Sequence, residues 1–262
     1  MSVYHSAKSW IGRGLIASRL FRRSLGDGGV VVAFHRVNDD IPEDGLTRSS
    51  RSFEAFCRRF SSSFDVITLT DFVSRLERKA SVAGALAITF DDGYLDNFTV
   101  AAPILKQLNL PATFYITTGF IGSTIVPWWD AAISPRQPWM DWDHVRQLAA
   151  EGFEIGAHTR SHADLGKVEG DEAKKEIAGS REELREAIGR VPEHFAYPYG
   201  QKTNLLEGNR ALVKCAGFRS CVSCFGGRAV STTDPHRLRR VPISPWFRTP
   251  EQFLFEVAWQ IE

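Results

Sequence analysis

Short apolar runs alternate with longer amphipathic segments along most of this chain. The apolar runs fall at 30–34, 85–90, 112–117, 153–157, 194–197, 218–223 and 239–243. Each is rich in Val, Ile, Phe or Thr and is bounded by Gly, Pro or Asp, the pattern of a strand. Between them, 53–62, 98–107, 141–150, 171–188, 204–215 and 250–259 carry apolar residues at helical spacing. A further helix is expected to start at Thr70-Asp71-Phe72-Val73, with a Thr cap. Segment 171–188 is the clearest helix, with Glu interleaved with Lys and Arg along a solvated face. Strands alternating with helices predict a parallel sheet. Val30-Val31-Val32-Ala33-Phe34, apolar throughout, reads as a strand buried on both faces.

Polar residues follow directly on these runs: His35, Asp91 and Asp92, His158, and Tyr199. A barrel of parallel strands places its chemistry there, at the C-terminal strand ends, and a chain of about 250 residues suffices for one such domain.

Composition narrows the partners more than the fold. The 262 residues are 43% hydrophobic and 24% charged, with a net charge of +1. That is ordinary globular composition, and no global field points to nucleic acid or an anionic membrane. No run approaches the ~20 apolar residues of a membrane span. The first 27 residues read as a basic amphipathic leader ahead of a domain over 28–262. Lys8, Arg13, Arg19, Arg22 and Arg23 interrupt its apolar stretch, so no secretory signal is read. A cytoplasmic setting is expected, with peripheral membrane contact through this leader as one reading. Cys221 and Cys224 form a CxxC without a second pair, so Cys57, Cys215, Cys221 and Cys224 are expected as reduced thiols rather than a zinc site.

Three motifs carry the candidate chemistry. In Thr89-Phe90-Asp91-Asp92-Gly93, adjacent carboxylates at a strand end face different ways. One can bind a metal while the other stays free as a base. Gly93 permits a sharp exit from the strand. In His158-Thr159-Arg160-Ser161-His162, two histidines four apart are expected on one face of a helical turn, within reach of one ion. One Asp with two His makes an open metal site of the catalytic kind. Phe195-Ala196-Tyr197-Pro198-Tyr199-Gly200 is a strand entering a tight turn, whose exposed N–H groups can hold an oxyanion. No glycine-rich phosphate cradle accompanies them.

In this order and at these separations, the motifs resemble those of the polysaccharide deacetylases, carbohydrate esterase family 4. The resemblance runs from about His35 to Ile243, and Val32-Ala33-Phe34-His35-Arg36-Val37 is similar to the first strand of many members. It implies a distorted, single-domain (β/α) barrel of TIM-like form and a divalent metal, most often zinc. It also implies removal of acetyl groups from N-acetylglucosamine polymers, peptidoglycan or related glycans. Asp92, His158 and His162 would be the metal ligands and Asp91 the base, with the oxyanion donor placed at the Tyr199 N–H. An O-acetyl esterase, or a glycan-binding protein on a degenerate barrel, is the alternative.

Two departures from the family pattern stand out. The Arg that orients the base in many third motifs is missing from Phe195-Ala196-Tyr197. Leu238-Arg239-Arg240 stands where many members carry Leu-x-His, whose His is the general acid. His35 is the first candidate for that proton and His236 the second, and Arg240 could act electrostatically instead. Arg239 and Arg240 read as internal ion-pair elements, Arg36 as structural, and Asp96 and Asn97 as a helix cap. Trp128 and Trp129 are candidates to stack on a sugar ring, as are Trp139 and Trp142. Trp246 and Phe247 are equally open to a stacking or a packing role.

Overall fold

The computed structural model of the protein describes residues 25–259, so residues 1–24 of the expected leader lie outside the described part. The strands are β1 (Val30–Phe34), β2 (Arg36–Val37), β3 (Thr47–Arg48), β4 (Asp65–Val66), β5 (Ala85–Phe90), β6 (Thr113–Ile116), β7 (Glu154–Ala157), β8 (His194–Ala196), β9 (Ser220–Val222) and β10 (Arg240–Pro242). The helices are α1 (Ser50–Ser63), α2 (Leu69–Glu77), α3 (Ala102–Gln107), α4 (Trp142–Ala150), α5 (Gly170–Ile188), α6 (Glu207–Cys215) and α7 (Pro250–Trp259). The main sheet runs β10-β1-β5-β6-β7-β8-β9 and is parallel throughout, with β4 pairing on the first residues of β5. A parallel bridge between Val222 and Leu238 draws the two edges together, so the sheet nearly closes into a distorted (β/α) barrel. Among the described residues, no helix is long and apolar enough to cross a membrane.

Period-two alternation sorts each strand's side chains. Val30, Val32, Phe34, Leu86, Ile88 and Phe90 belong to the larger core, which includes residues of the surrounding helices. Val31, Ala85, Ala87, Tyr115, Ala196 and Val222 belong to a second cluster with Leu69, Phe72, Val73 and Leu76 of α2. A Cβ on Gly29, just before β1, would lie 2.8 Å from the Phe72 ring, which puts α2 against the N-terminal end of the barrel. The Glu154 carboxylate, at the start of β7, accepts from the Leu69 and Thr70 N–H groups at 2.9 and 3.0 Å and anchors the first turn of α2 there. With that end closed, the C-terminal end is left to the site.

The structure corrects several local expectations. The cap of α2 is Thr68, whose Oγ1 accepts from Asp71 N at 3.0 Å, while the Thr70 hydroxyl meets His194 Nε2 inside the barrel. Asp96 and Asn97 cap nothing. A π-turn over Asn97–Ala101 leads into α3, and Asp96 makes no capping bond. Asn97 Nδ2 instead donates to the His35 carbonyl at 2.6 Å and to Asp96 Oδ1 at 2.8 Å, which ties the end of β1 to this turn.

Asp96 is buried, and burial pushes its carboxyl up to about 7 against the opposing effect of the Val37 N–H, Asn38, Asn97 and the Arg36 charge. A carboxyl raised on folding adds stability that is complete below its unfolded value near 3.8 and is lost as pH rises through about 7. Asp96→Asn removes that dependence. Its stability relative to the wild type is therefore expected to climb by up to ~1.4 kcal/mol per pH unit across this window. Denaturant melts of both proteins at pH 5 and pH 8 check this; an offset unchanged between the two pH values refutes it.

Candidate active site

The C-terminal ends of β1, β5, β7 and β8 deliver His35, Asp91, Asp92, His158 and Tyr199 to the wall of one cleft of about 340 Å³. His162, Trp128 and Trp129 line it as well, so the candidate ligands, base, oxyanion donor and first proton donor meet there with two of the candidate tryptophans. The main chain bends sharply to achieve this. Asp92, Thr159, His162 and Tyr199 all adopt positive φ, at 75°, 63°, 59° and 61°. Such φ values are uncommon outside glycine, and their clustering marks a site where position outweighs backbone comfort. The helical turn expected at 158–162 is not formed. The two histidines converge because the chain passes through the left-handed region at Thr159 and again at His162.

Asp92, His158 and His162 are buried, and one ligand atom from each lies within 4.8 Å of the others. His158 Nε2 and His162 Nε2 sit 3.4 and 3.3 Å from Asp92 Oδ1, yet this oxygen has no hydrogen-bond partner among the described residues. His158 Nδ1 donates to the Ala196 carbonyl at 2.9 Å, which leaves the Nε2 lone pair facing the cluster. Burial alone would raise Asp92, but the two imidazoles hold its carboxyl well below the usual range. Buried ligand atoms that converge in this way suit a cation, and the donor set of one carboxylate and two imidazoles suits a divalent ion such as zinc.

Asp91 is held apart from this cluster by an arginine of β10, the edge strand two places from β5. Arg240, fully buried at the start of β10, forks the carboxylate with Nη1–Oδ1 at 2.6 Å and Nη2–Oδ2 at 2.7 Å. Its Nη1 also donates to Thr89 Oγ1 and its Nε to the Ser223 carbonyl, at 3.0 and 2.9 Å, so the guanidinium is locked in turn. Burial would raise Asp91, but Arg240, His158 and His35 together keep it below the ordinary carboxylate value. An arginine on Asp91, which the third motif lacks, is therefore supplied by the last strand. The reading of Arg239 and Arg240 as internal ion-pair elements holds for Arg240 alone, since Arg239 makes no ion pair among the described residues, and the identity of Arg240's partner was invisible in the sequence.

The two candidate proton donors separate. His35 Nε2 is 3.9 Å from Asp91 Oδ2, on the cleft wall. His236 donates from Nε2 to the Phe218 carbonyl at 2.9 Å and does not line the cleft.

The tryptophans also separate. Trp128, 75% exposed, stands at the mouth. The Trp129 ring lies 4.6 Å from that of His162 and 6.2 Å from that of Tyr199, with Nε1 donating to the Tyr94 hydroxyl. Tyr94 in turn donates to Asp130, which pairs with the buried Arg36. Arg36 also binds Asp44, two residues before the cleft-lining Leu46, so one structural arginine braces both loops at the mouth. Trp139 is buried, stacked on Tyr94 and Phe120, and Trp142 packs against the core; neither faces the cleft. Phe247 is buried and Trp246 exposed. Cys57, Cys215, Cys221 and Cys224 form no disulfide among the described residues.

In the third motif, Gly200 takes φ 61°, and a Cβ there would lie 2.5 Å from Cys224 N. Only glycine permits this approach, which folds the turn back on the segment after β9 and leaves Tyr199 on the cleft side. The Tyr199 N–H makes no hydrogen bond among the described residues.

These features agree with comparisons to known proteins. The family model for polysaccharide deacetylase matches residues 78–220, over half of the chain. The chain is 34% identical to the peptidoglycan-N-acetylglucosamine deacetylase of Bacillus cereus over 117 residues, covering 44% of this chain and 36% of that protein. It is 30% identical to the chitooligosaccharide deacetylase of Bradyrhizobium sp. over 115 residues, covering 43% and 45%. The chain thus spans less than half the length of these curated relatives. In structure it resembles the Streptococcus pyogenes deacetylase PplD with a TM-score of 0.74, 20% identity, and coverage of 87% of this chain and 96% of that one. It resembles IcaB from Ammonifex degensii with a TM-score of 0.71, 22% identity, and coverage of 89% and 98%. Asp91, Asp92, His158, His162 and Tyr199 fall inside the matched segment, whereas His35 and Arg240 fall outside it. The chain belongs to the polysaccharide deacetylase family.

Proposed function

We propose that this protein is a divalent-metal-dependent hydrolase that removes the acetyl group from an N-acetylated sugar of a glycan. The observation that carries the reading is the pairing of an orphaned Asp92–His158–His162 cluster with a separate carboxylate, Asp91, clamped in one orientation.

The division of labour follows from that arrangement. Asp92, His158 and His162 would hold a divalent cation, which would supply Lewis acidity at the amide carbonyl and acidify a bound water. Asp91, ionised and oriented by Arg240, takes the proton from that water as the new C–O bond forms. The unpaired Tyr199 N–H donates to the developing oxyanion. The amide nitrogen must gain a proton before the C–N bond breaks. His35, close to Asp91 on the cleft wall, is the candidate donor. Trp128 and Trp129 present aromatic faces at the mouth for the sugar ring.

Acetate release from a panel of N-acetylated glycan oligomers, after chelation and again after reloading with zinc or another divalent ion, tests the reading. Activity lost on chelation and regained on reloading is expected. No acetate from any oligomer with any ion overturns it, and release only from O-acetylated sugars moves the activity to an esterase.

A further inference from the structure

Beside the catalytic cleft lies a second concavity of about 420 Å³, lined by Gln201, Lys202, Thr203, Phe225 and Arg239. Gln201 belongs to the walls of both, and the next residue after the cleft-lining Cys224 is Phe225. The two spaces therefore share walls from the loops that follow β8 and β9.

The charges here are unbalanced in an unusual way. Arg237 and Arg240, which flank Arg239 in sequence, have acidic partners: Arg237 pairs with Glu207 and Asp234, and Arg240 with Asp91. Arg239 is half-buried and makes no ion pair or hydrogen bond among the described residues. Its guanidinium instead packs against the Gly227 backbone. A Cβ on Gly227, where φ is 139°, would come within 2.3 Å of Arg239 Nε. The side chain lies flat on a backbone that only glycine can present so closely. Lys202 Nζ stands 5.5 Å over the Phe225 ring and forms no ion pair among the described residues. Glu207, the nearby acid of the α6 start, is already shared by Arg210 and Arg237.

Arg239 is half-buried with no anionic partner among the described residues, so its guanidinium is free to take an anion from outside the chain. We infer that this shelf is a subsite for an anionic group, a carboxylate or a phosphate, carried by the sugar residue next to the one presented to Asp91. The planar guanidinium fork matches either anion in bidentate fashion, Lys202 adds a second positive charge, and Phe225 offers an apolar face to the ring. The substrate class is thereby narrowed to acidic N-acetylated glycans. The inference rests on the glycan-deacetylase reading.

The test uses the full chain loaded with metal and three oligomers of N-acetylglucosamine: one neutral, one containing a uronic acid, and one bearing a phosphate. Calorimetric affinity and acetate release are measured for each. At low salt, at least one charged oligomer is expected to be favoured over the neutral one by about tenfold, the scale of one charge-assisted hydrogen bond. The preference should shrink as salt is added. Arg239→Gln should bring the charged-to-neutral ratio to about one, Arg239→Lys should retain part of it, and Lys202→Gln should lower it less. Which charged oligomer is favoured tells carboxylate from phosphate. Equal affinity for all three oligomers, or a preference that survives Arg239→Gln, overturns the subsite. Failure of acetate release alone refutes the deacetylase reading and leaves the affinity comparison to decide the subsite.

Discussion

Asp91→Asn is expected to lower kcat by about 10²- to 10⁴-fold, the range removed with a general base, while leaving the bound metal in place. An amide keeps the shape of the carboxylate and one oxygen for Arg240, but it cannot take a proton from water at neutral pH. Asp92, His158 and His162 form the cluster of converging ligand atoms, and Asp91 is turned away from it by the Arg240 fork. His158→Ala should accordingly lose both metal and activity, whereas Asp91→Asn should lose activity alone. Metal content of the purified variants, measured beside kcat, separates the two roles. Loss of metal from Asp91→Asn would make Asp91 a ligand, and full activity in that variant would remove it as the base. The substitution also leaves Arg240 buried with a weaker partner. The comparison therefore belongs at a temperature where both proteins are shown to be folded.

The second large effect concerns Arg240 itself. Arg240→Met is expected to lower kcat by about 10²-fold, because small displacements of a catalytic group are costly on that scale. It should also destabilise the fold by ~3–5 kcal/mol, since it strands the Asp91 carboxylate in a buried site. Arg240→Lys retains the positive charge but not the two-pronged geometry, so it should recover stability more than rate. Asp91→Asn in the Arg240→Met background removes the stranded charge. Its stability cost there should be much smaller than in the wild type, and a double-mutant cycle in denaturant measures that coupling. Additive losses would mean that the two residues do not act as a pair. Near wild-type kcat in Arg240→Met would mean that Asp91 needs no orienting partner.

Much of this was legible along the chain. The seven apolar runs became the seven strands of the barrel path, shifted by one or two residues at their ends, because buried parallel strands need uninterrupted apolar sequence. Five chemical residues following four of those runs arrived together, since parallel strands all end on the same side. Local conformation was less legible. The spacing of His158 and His162 suits a helix as well as a loop, and the outcome turned on left-handed backbone that the residue types do not announce. Thr68 and Thr70 are equally good caps by type. The choice between them followed from Glu154 and His194, distant in sequence, which hold the start of α2 inside the barrel.

The amino-acid sequence alone determined the strand-and-helix order, the identity of the metal-ligand candidates and the presence of two adjacent carboxylates. These depend on residue type and short-range period, which are written in one dimension. Only the tertiary structure decided which residues face one another across the barrel. Parallel pairing of β10 with β1 sets the last strand two places from β5 and carries the Arg240 guanidinium to Asp91, 149 positions earlier in the chain. The fold also placed His236 outside the cleft and His35 on its wall, and left Arg239, one residue from the orienting arginine, facing a separate shelf. Alternation along a strand sends neighbouring side chains to opposite faces. Two adjacent arginines that look interchangeable in sequence are thus assigned different partners by the sheet around them.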